Sequence, residues 1–254
     1  MVNRAMTKGR ILLEVCIASV EDALAAQAAG ADRLELNSAL ALGGLTPSAG
    51  LLAEVRQATM LPVIAMARPR SGGFCYSGPE FRILRRDVDH ALERGADGIA
   101  FGVLTEAGVV DEQRVRQIVD QVAGRQAVFH RAFDVTPNPS EVLKQLIDLG
   151  IKRVMTSGQQ PTALDGARLI AKLIEQAAGR IEVLPAGGIN PVTVQELLKQ
   201  TGCDQVHASL RSTRFDLSTR SRPQVRFSSS TNLPEDQFHA TNEELVGQIR
   251  KLLG

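Results

Sequence analysis

Short apolar runs, most of them ending in a cluster of polar residues, recur along the chain and alternate with amphipathic stretches closed by glycine. ILLEVCI (11–17) reads as a first strand, followed by a helix from about Val20 to Ala29 that stops at Gly30. DRLELN (32–37) reads as a second strand, and Thr46-Pro47 opens the next helix with proline in its first turn. LPVIAMARP (61–69) is a continuous apolar run of the kind that buried parallel strands carry, and the helix behind it runs from about Pro79 to Arg94, closing at Gly95. GIAFGVL (98–104) and a helix from Asp111 to about Ala123 complete the first half.

The second half repeats the scheme. QAVFHRA (126–132) is followed by a helix over Pro139–Leu149, KRVMTS (152–157) by a helix from about Thr162 to Ala178, and IEVLPA (181–186) by a helix from Pro191 to Gln200. DQVHAS (204–209) is the eighth strand, and a last helix spans Asn242 to Leu253. Eight strand–helix units of even length predict an α/β fold, a (β/α)8 TIM-type barrel in a single domain over 11–254; a doubly wound open sheet is the alternative. Residues 1–10 read as a loose N-terminal leader. The polar stretch 209–240 is long for a passive loop and holds Arg211, Arg214, Arg220, Arg222 and Arg226; it is either a solvated loop or a lid or subunit contact over the barrel mouth.

Composition narrows the function. With 29 Lys plus Arg against 28 Asp plus Glu, the net charge of +1 predicts no nucleic-acid partner and no anionic membrane surface. No apolar run is long enough for a membrane span, and MVNRAMTKGR lacks the apolar segment of a secretory signal. Three cysteines, Cys16, Cys75 and Cys203, form an odd set that reads as reduced thiols in a cytosol. None of the six lysines falls at the C-terminal end of a predicted strand, which argues against Schiff-base chemistry.

In this fold, function gathers where strands end. Glu14 shares a strand face with Cys16, and Glu35 with Asn37, by the two-residue period. Strand eight closes on strand one, so Glu14, Glu35 and His207 are expected to converge, with His130 across the axis; all four are candidate acid–base groups. Arg68, Arg70, Arg131, Asp134, Ser157 and the backbone of Gly187 and Gly188 are candidate holders of an anionic substrate. The opposing reading is an ionic plug in the barrel core, with Arg68, Arg70 or Arg131 as counter-charges. No paired C-x-x-C or H-E-x-x-H is present, so a structural zinc is not expected, whereas a soft thiolate site at Cys16 and Cys75 suits Cu(I).

The segments EVC (14–16), ADRLELN (31–37), GGLTPS (43–48), RPRSGGFCYS (68–77), FHRAFD (129–134), RVMTSGQ (153–159), AGGI (186–189) and VHASLRST (206–213) together resemble, in order, the signature of the CutC copper-homeostasis family. The resemblance implies a TIM-type barrel, a cytoplasmic location, a homodimer or homotetramer, and a role in copper handling with the ion on cysteines. Carried onto this chain, the first-strand cysteine is Cys16 and the cysteine of the Phe-Cys-Tyr-Ser segment is Cys75. Where many relatives carry a further cysteine after Glu-Leu, this chain has Asn37. Two functions follow: a copper-handling protein that binds Cu(I) through Cys16, or an enzyme of lyase or isomerase type acting on a small anionic metabolite.

Overall fold

Each apolar run forms a short strand in the computed structural model, which describes residues 10–227 and 233–254. The strands are β1 (Leu12–Ile17), β2 (Arg33–Leu36), β3 (Val63–Met66), β4 (Gly98–Phe101), β5 (Gln126–Phe129), β6 (Arg153–Thr156), β7 (Glu182–Pro185) and β8 (Gln205–Ala208). Between and after them lie α1 (Val20–Ala28), α2 (Ala49–Ala58), α3 (Gly78–Glu93), α4 (Glu112–Val122), α5 (Pro139–Asp148), α6 (Ala167–Ala177), α7 (Val194–Thr201) and α8 (Glu243–Leu253). β1 to β7 pair in parallel in chain order, β8 pairs with β1, and a parallel bridge between Ala186 and His207 closes the ring. The result is a TIM-type barrel. An open doubly wound sheet is excluded, because the strand order never reverses and the two edges meet.

Helix starts follow local chemistry. Ser77 and Glu80 form a reciprocal capping box at the head of α3, and Ser19, Asp111, Asn138 and Asn242 each accept a backbone N–H at the head of their own helix. Ser48 does the same for α2, so Thr46-Pro47 lies before the helix and not in its first turn. Thr46 instead ties that loop to the end of β3: its N–H donates to the Arg68 carbonyl (3.0 Å) and its hydroxyl accepts from the Arg68 N–H (3.0 Å). Likewise α6 begins at Ala167, because residues 162–166 turn back toward the β7 end, where Ala163 N–H bonds the Gly187 carbonyl at 2.9 Å.

The stretch 209–240 is not simply a solvated loop. It contains β9 (Arg211–Phe215) and β10 (Gln237–Thr241), an antiparallel pair that runs from Arg211 opposite Thr241 to Phe215 opposite Gln237. The Thr241 N–H donates to Asp22 Oδ1 of α1 at 2.6 Å, which fastens the base of this hairpin to the barrel wall. The loose leader expected over 1–10 falls, except for Arg10, outside the described residues.

Alternation divides the strands between two environments. Leu13, Val15 and Ile17 of β1 and Leu34 and Leu36 of β2 join the large core between sheet and helices. Inside the ring lie two small apolar clusters, Ile64–Met66–Ala100–Val128 and Met155–Leu184–Ala186. The rest of the lumen is polar. The first residues of five strands, Arg33, Gln126, Arg153, Glu182 and Gln205, knit the barrel floor: Arg153 Nε donates to Glu182 (2.7 Å), Arg33 Nη2 to Gln205 (3.0 Å) and Gln205 Nε2 to Glu182 (3.2 Å). An ionic plug therefore exists, but Arg33 and Arg153 build it, not Arg68, Arg70 or Arg131.

Candidate functional site

Above that floor, register brings β1, β2 and β8 together. Glu14 lies opposite both Arg33 and His207, and Cys16 opposite Glu35. All are buried. Arg33 Nε is ion-paired with Glu14 Oε2, while Glu14 Oε1 meets His207 Nδ1 at 2.8 Å. Burial opposes ionisation of Glu14, but the Arg33 charge and the bond and charge of His207 outweigh it, and its pKa falls far below the carboxylate range. Both Glu14 oxygens are thus occupied. This carboxylate orients His207 and holds its charge.

His207 is the pivot of the cluster. With Nδ1 held by Glu14, Nε2 faces the strand ends, 3.8 Å from Glu35 Oε2. Burial disfavours a charged imidazole, yet Glu35, a bond to Cys16, and Glu14 together raise the His207 pKa well above its ordinary value. Burial and the nearby Glu14 charge raise Glu35 against the pull of His207 and Asn37. Burial, reinforced by the Glu35 charge, also raises the Cys16 thiol. Asn37 bridges the two, its amide donating to Glu35 Oε2 (2.9 Å) and Cys16 Sγ (3.4 Å). One ligand atom from each of Cys16, Glu35 and His207 lies within 4.8 Å of the others, and Glu35 Oε1 is buried with no partner. Sulfur, imidazole and carboxylate at that spacing, with one vacant oxygen, can hold a soft or borderline metal ion.

The same residues form one wall of a cavity of about 360 Å³ at the barrel mouth, whose opposite wall carries Arg68, Phe74, His130 and Arg131. His130 caps the short 3₁₀ turn Arg131–Val135, its Nδ1 accepting the Ala132 N–H at 3.1 Å. Its Nε2 is buried without a partner. Burial and the Arg68 charge depress its pKa to about 3, so at neutral pH it is uncharged. Arg131 donates to Asp134 Oδ2 (2.8 Å) and Ser157 Oγ (2.7 Å), and Asp134 also accepts from Thr156 and from the Ser157 backbone. That knot fixes the Arg131 guanidinium between this cavity and a second one of about 420 Å³, lined by Gly187, Gly188, Ser209 and Arg211.

Two candidates lie elsewhere. Arg70 pairs with Glu80 and bonds the carbonyls of Ser71, Gly73 and Cys75, so it organises the loop before α3 and lines neither cavity. Cys75 is exposed and outside the Cys16–Glu35–His207 group. Arg33 and Arg153 give no signal in the sequence, because an arginine opening a strand reads as a solvent-facing boundary; only closure turns those positions into the lumen.

These features define a TIM-type barrel with a buried Cys–Glu–His group and a polar cavity at its strand ends. The chain belongs to the CutC family, whose model matches residues 11–212. A family protein CutC of Treponema denticola is 44% identical over 243 residues, covering 96% of this chain and 99% of that one. The human copper homeostasis protein cutC homolog is 46% identical over 212 residues, covering 84% of this chain and 78% of that one. A crystal structure of CutC from Streptococcus agalactiae superposes with a TM-score of 0.74 at 33% identity, covering 78% of this chain and 97% of that one. Among the described residues, no helix is long and apolar enough to cross a membrane.

Proposed function

We propose that the chain serves copper homeostasis by taking one Cu(I) ion as cargo on Cys16 Sγ and His207 Nε2, with Glu35 as the adjoining carboxylate. The observation that carries this reading is the orientation of His207. Glu14, itself neutralised by Arg33, holds Nδ1 at 2.8 Å and leaves Nε2 directed at the Cys16–Glu35 side. A carboxylate behind a ligating imidazole is the usual means of setting its tautomer and direction. The names of the human and mouse relatives, copper homeostasis protein cutC homolog, support a role in copper homeostasis. Cys16 is held as a thiol and His207 as an imidazolium, so loading releases protons and affinity rises with pH. Cys75, exposed and apart, takes no part.

An anaerobic Cu(I) competition titration against a coloured chelator tests this on wild type, Cys16→Ser, Glu14→Gln and Cys75→Ser. One tight equivalent is expected in wild type and Cys75→Ser. It should be lost in Cys16→Ser and weakened by roughly 10- to 100-fold in Glu14→Gln. Equal binding by wild type and Cys16→Ser would end the copper reading.

A further inference from the structure

Arg68 presents an unusual electrostatic situation. It is buried, at 7% exposure, yet among the described residues no carboxylate lies within ion-pair distance of it. Its Nη1 donates to the carbonyls of Leu42 (3.1 Å) and Gly44 (3.0 Å) and its Nη2 to that of Gly72 (2.7 Å), which leaves the charge itself unmatched. Its Nε is buried without any partner. Tyr76 nearby does not compensate, because burial pushes its hydroxyl up to about 12 and keeps it neutral. A buried guanidinium with neither counter-charge nor full hydrogen bonding is costly.

A second orphan donor stands on the same wall. His130 is 4% exposed, and its Nε2 has no partner. Because Nδ1 accepts the Ala132 N–H, the ring's own proton resides on Nε2. Phe74 packs between the two, with the Arg68 Cζ 5.3 Å and the His130 ring 5.0 Å from its ring centre. The other titratable groups lining the cavity are Cys16, Glu35 and His207 on the far wall, and Arg131 with its partner Asp134. Leu40, Met66, Val135 and Met155 supply apolar surface between the walls.

We infer that the mouth cavity is a binding site for a small organic carboxylate. The carboxylate takes its two hydrogen bonds from Arg68 and the neutral His130 N–H, and its carbon skeleton lies along Met66 and Met155. Two N–H donors and one uncompensated positive charge match a planar, singly charged carboxylate; a phosphate dianion would need more of each. The far end of such a ligand meets Glu35, Asn37 and His207, where a hydroxyl or oxo group finds partners. The carboxylate end uses no ligand of the Cu(I) reading; only the far end shares Glu35 and His207 with it, and the case from Arg68 and His130 does not rest on copper binding.

The test uses the full chain with methyl-labelled methionine, at neutral pH and with chelator present. 4-Hydroxybutyrate and inorganic phosphate are the probes. The Met66 and Met155 methyl signals should shift saturably with 4-hydroxybutyrate, and more weakly or not at all with phosphate. His130→Asn retains an oxygen for the Ala132 N–H but loses the Nε2 donor, and it should weaken binding about tenfold. Arg68→Lys, which removes Nε while keeping the charge, should weaken binding similarly, and Cys75→Ser, exposed and outside the cavity, should leave it unchanged. No saturable shift, tighter binding of phosphate, or equal binding by wild type and His130→Asn would overturn the inference. Since chelator keeps copper out of this titration and the copper titration is read without 4-hydroxybutyrate, failure of one proposal leaves the other readable.

Discussion

Acid should destabilise this barrel through His130. Burial and the Arg68 charge lower the folded-state pKa of His130 from 6.5 to about 3. A depressed pKa means that the unfolded chain takes up the proton first as pH falls. The contribution of neutral His130 is therefore fully present above about pH 6.5 and is lost progressively toward pH 3. Between pH 7 and pH 5 the loss is about 2 kcal/mol, a large part of a typical folding free energy. Glu35 and His207, whose pKa values are raised in the fold, act in the opposite sense, so the wild-type curve alone is a mixture. The clean quantity is the difference between wild type and His130→Asn, because asparagine does not titrate and the other groups are common to both. Urea denaturation of both chains at half-unit pH steps measures it. The wild-type advantage should shrink by about 2 kcal/mol from pH 7 to pH 5. A difference that stays flat across that range would refute the placement of His130 as a neutral buried donor.

Three other outcomes follow from the same geometry. Arg33→Met leaves Glu14 charged and buried beside His207 with its main counter-charge gone, and should cost about 3–5 kcal/mol in urea denaturation, of which Glu14→Gln in the same chain restores a substantial part. Asn37→Cys sets a second sulfur beside Cys16, where the amide now sits 3.4 Å away, and should raise Cu(I) affinity by about tenfold or more in chelator competition. Gly102→Ala would put its new methyl 2.5 Å from His130 Cε1 and 2.6 Å from the Ala132 Cβ, so it should lower stability by about 1–3 kcal/mol and disturb the His130 wall in particular.

Much of the architecture is legible in the chain because strand–helix alternation is a local property. Two-residue periodicity places Glu14 with Cys16 on one face and Glu35 with Asn37 on another, and a closed ring then makes β1 the neighbour of both β2 and β8. That is enough to expect Glu14, Glu35 and His207 in one place, and the structure brings them together. What sequence could not supply is the partner of each charge. Arg33 and Arg68 look alike in sequence, each an arginine at the boundary of an apolar run. Arg33 faces into the lumen and neutralises Glu14, whereas Arg68 is wrapped by backbone carbonyls and meets no carboxylate. Arg70, two residues further on, leaves the barrel altogether for Glu80.

The same division holds for the ionisable groups. The chain by itself determined the barrel, the strand faces and the gathering of polar residues at the strand ends, because these depend on periodicity and on a ring that closes in chain order. Only the tertiary structure decided that His130 is buried and neutral, that Glu14 is held between Arg33 and His207, and that Cys75 stands apart from Cys16. Those outcomes depend on burial and on charges brought close across the ring by residues distant in the chain, and such through-space energies leave no mark on the local pattern of hydrophobic and polar positions.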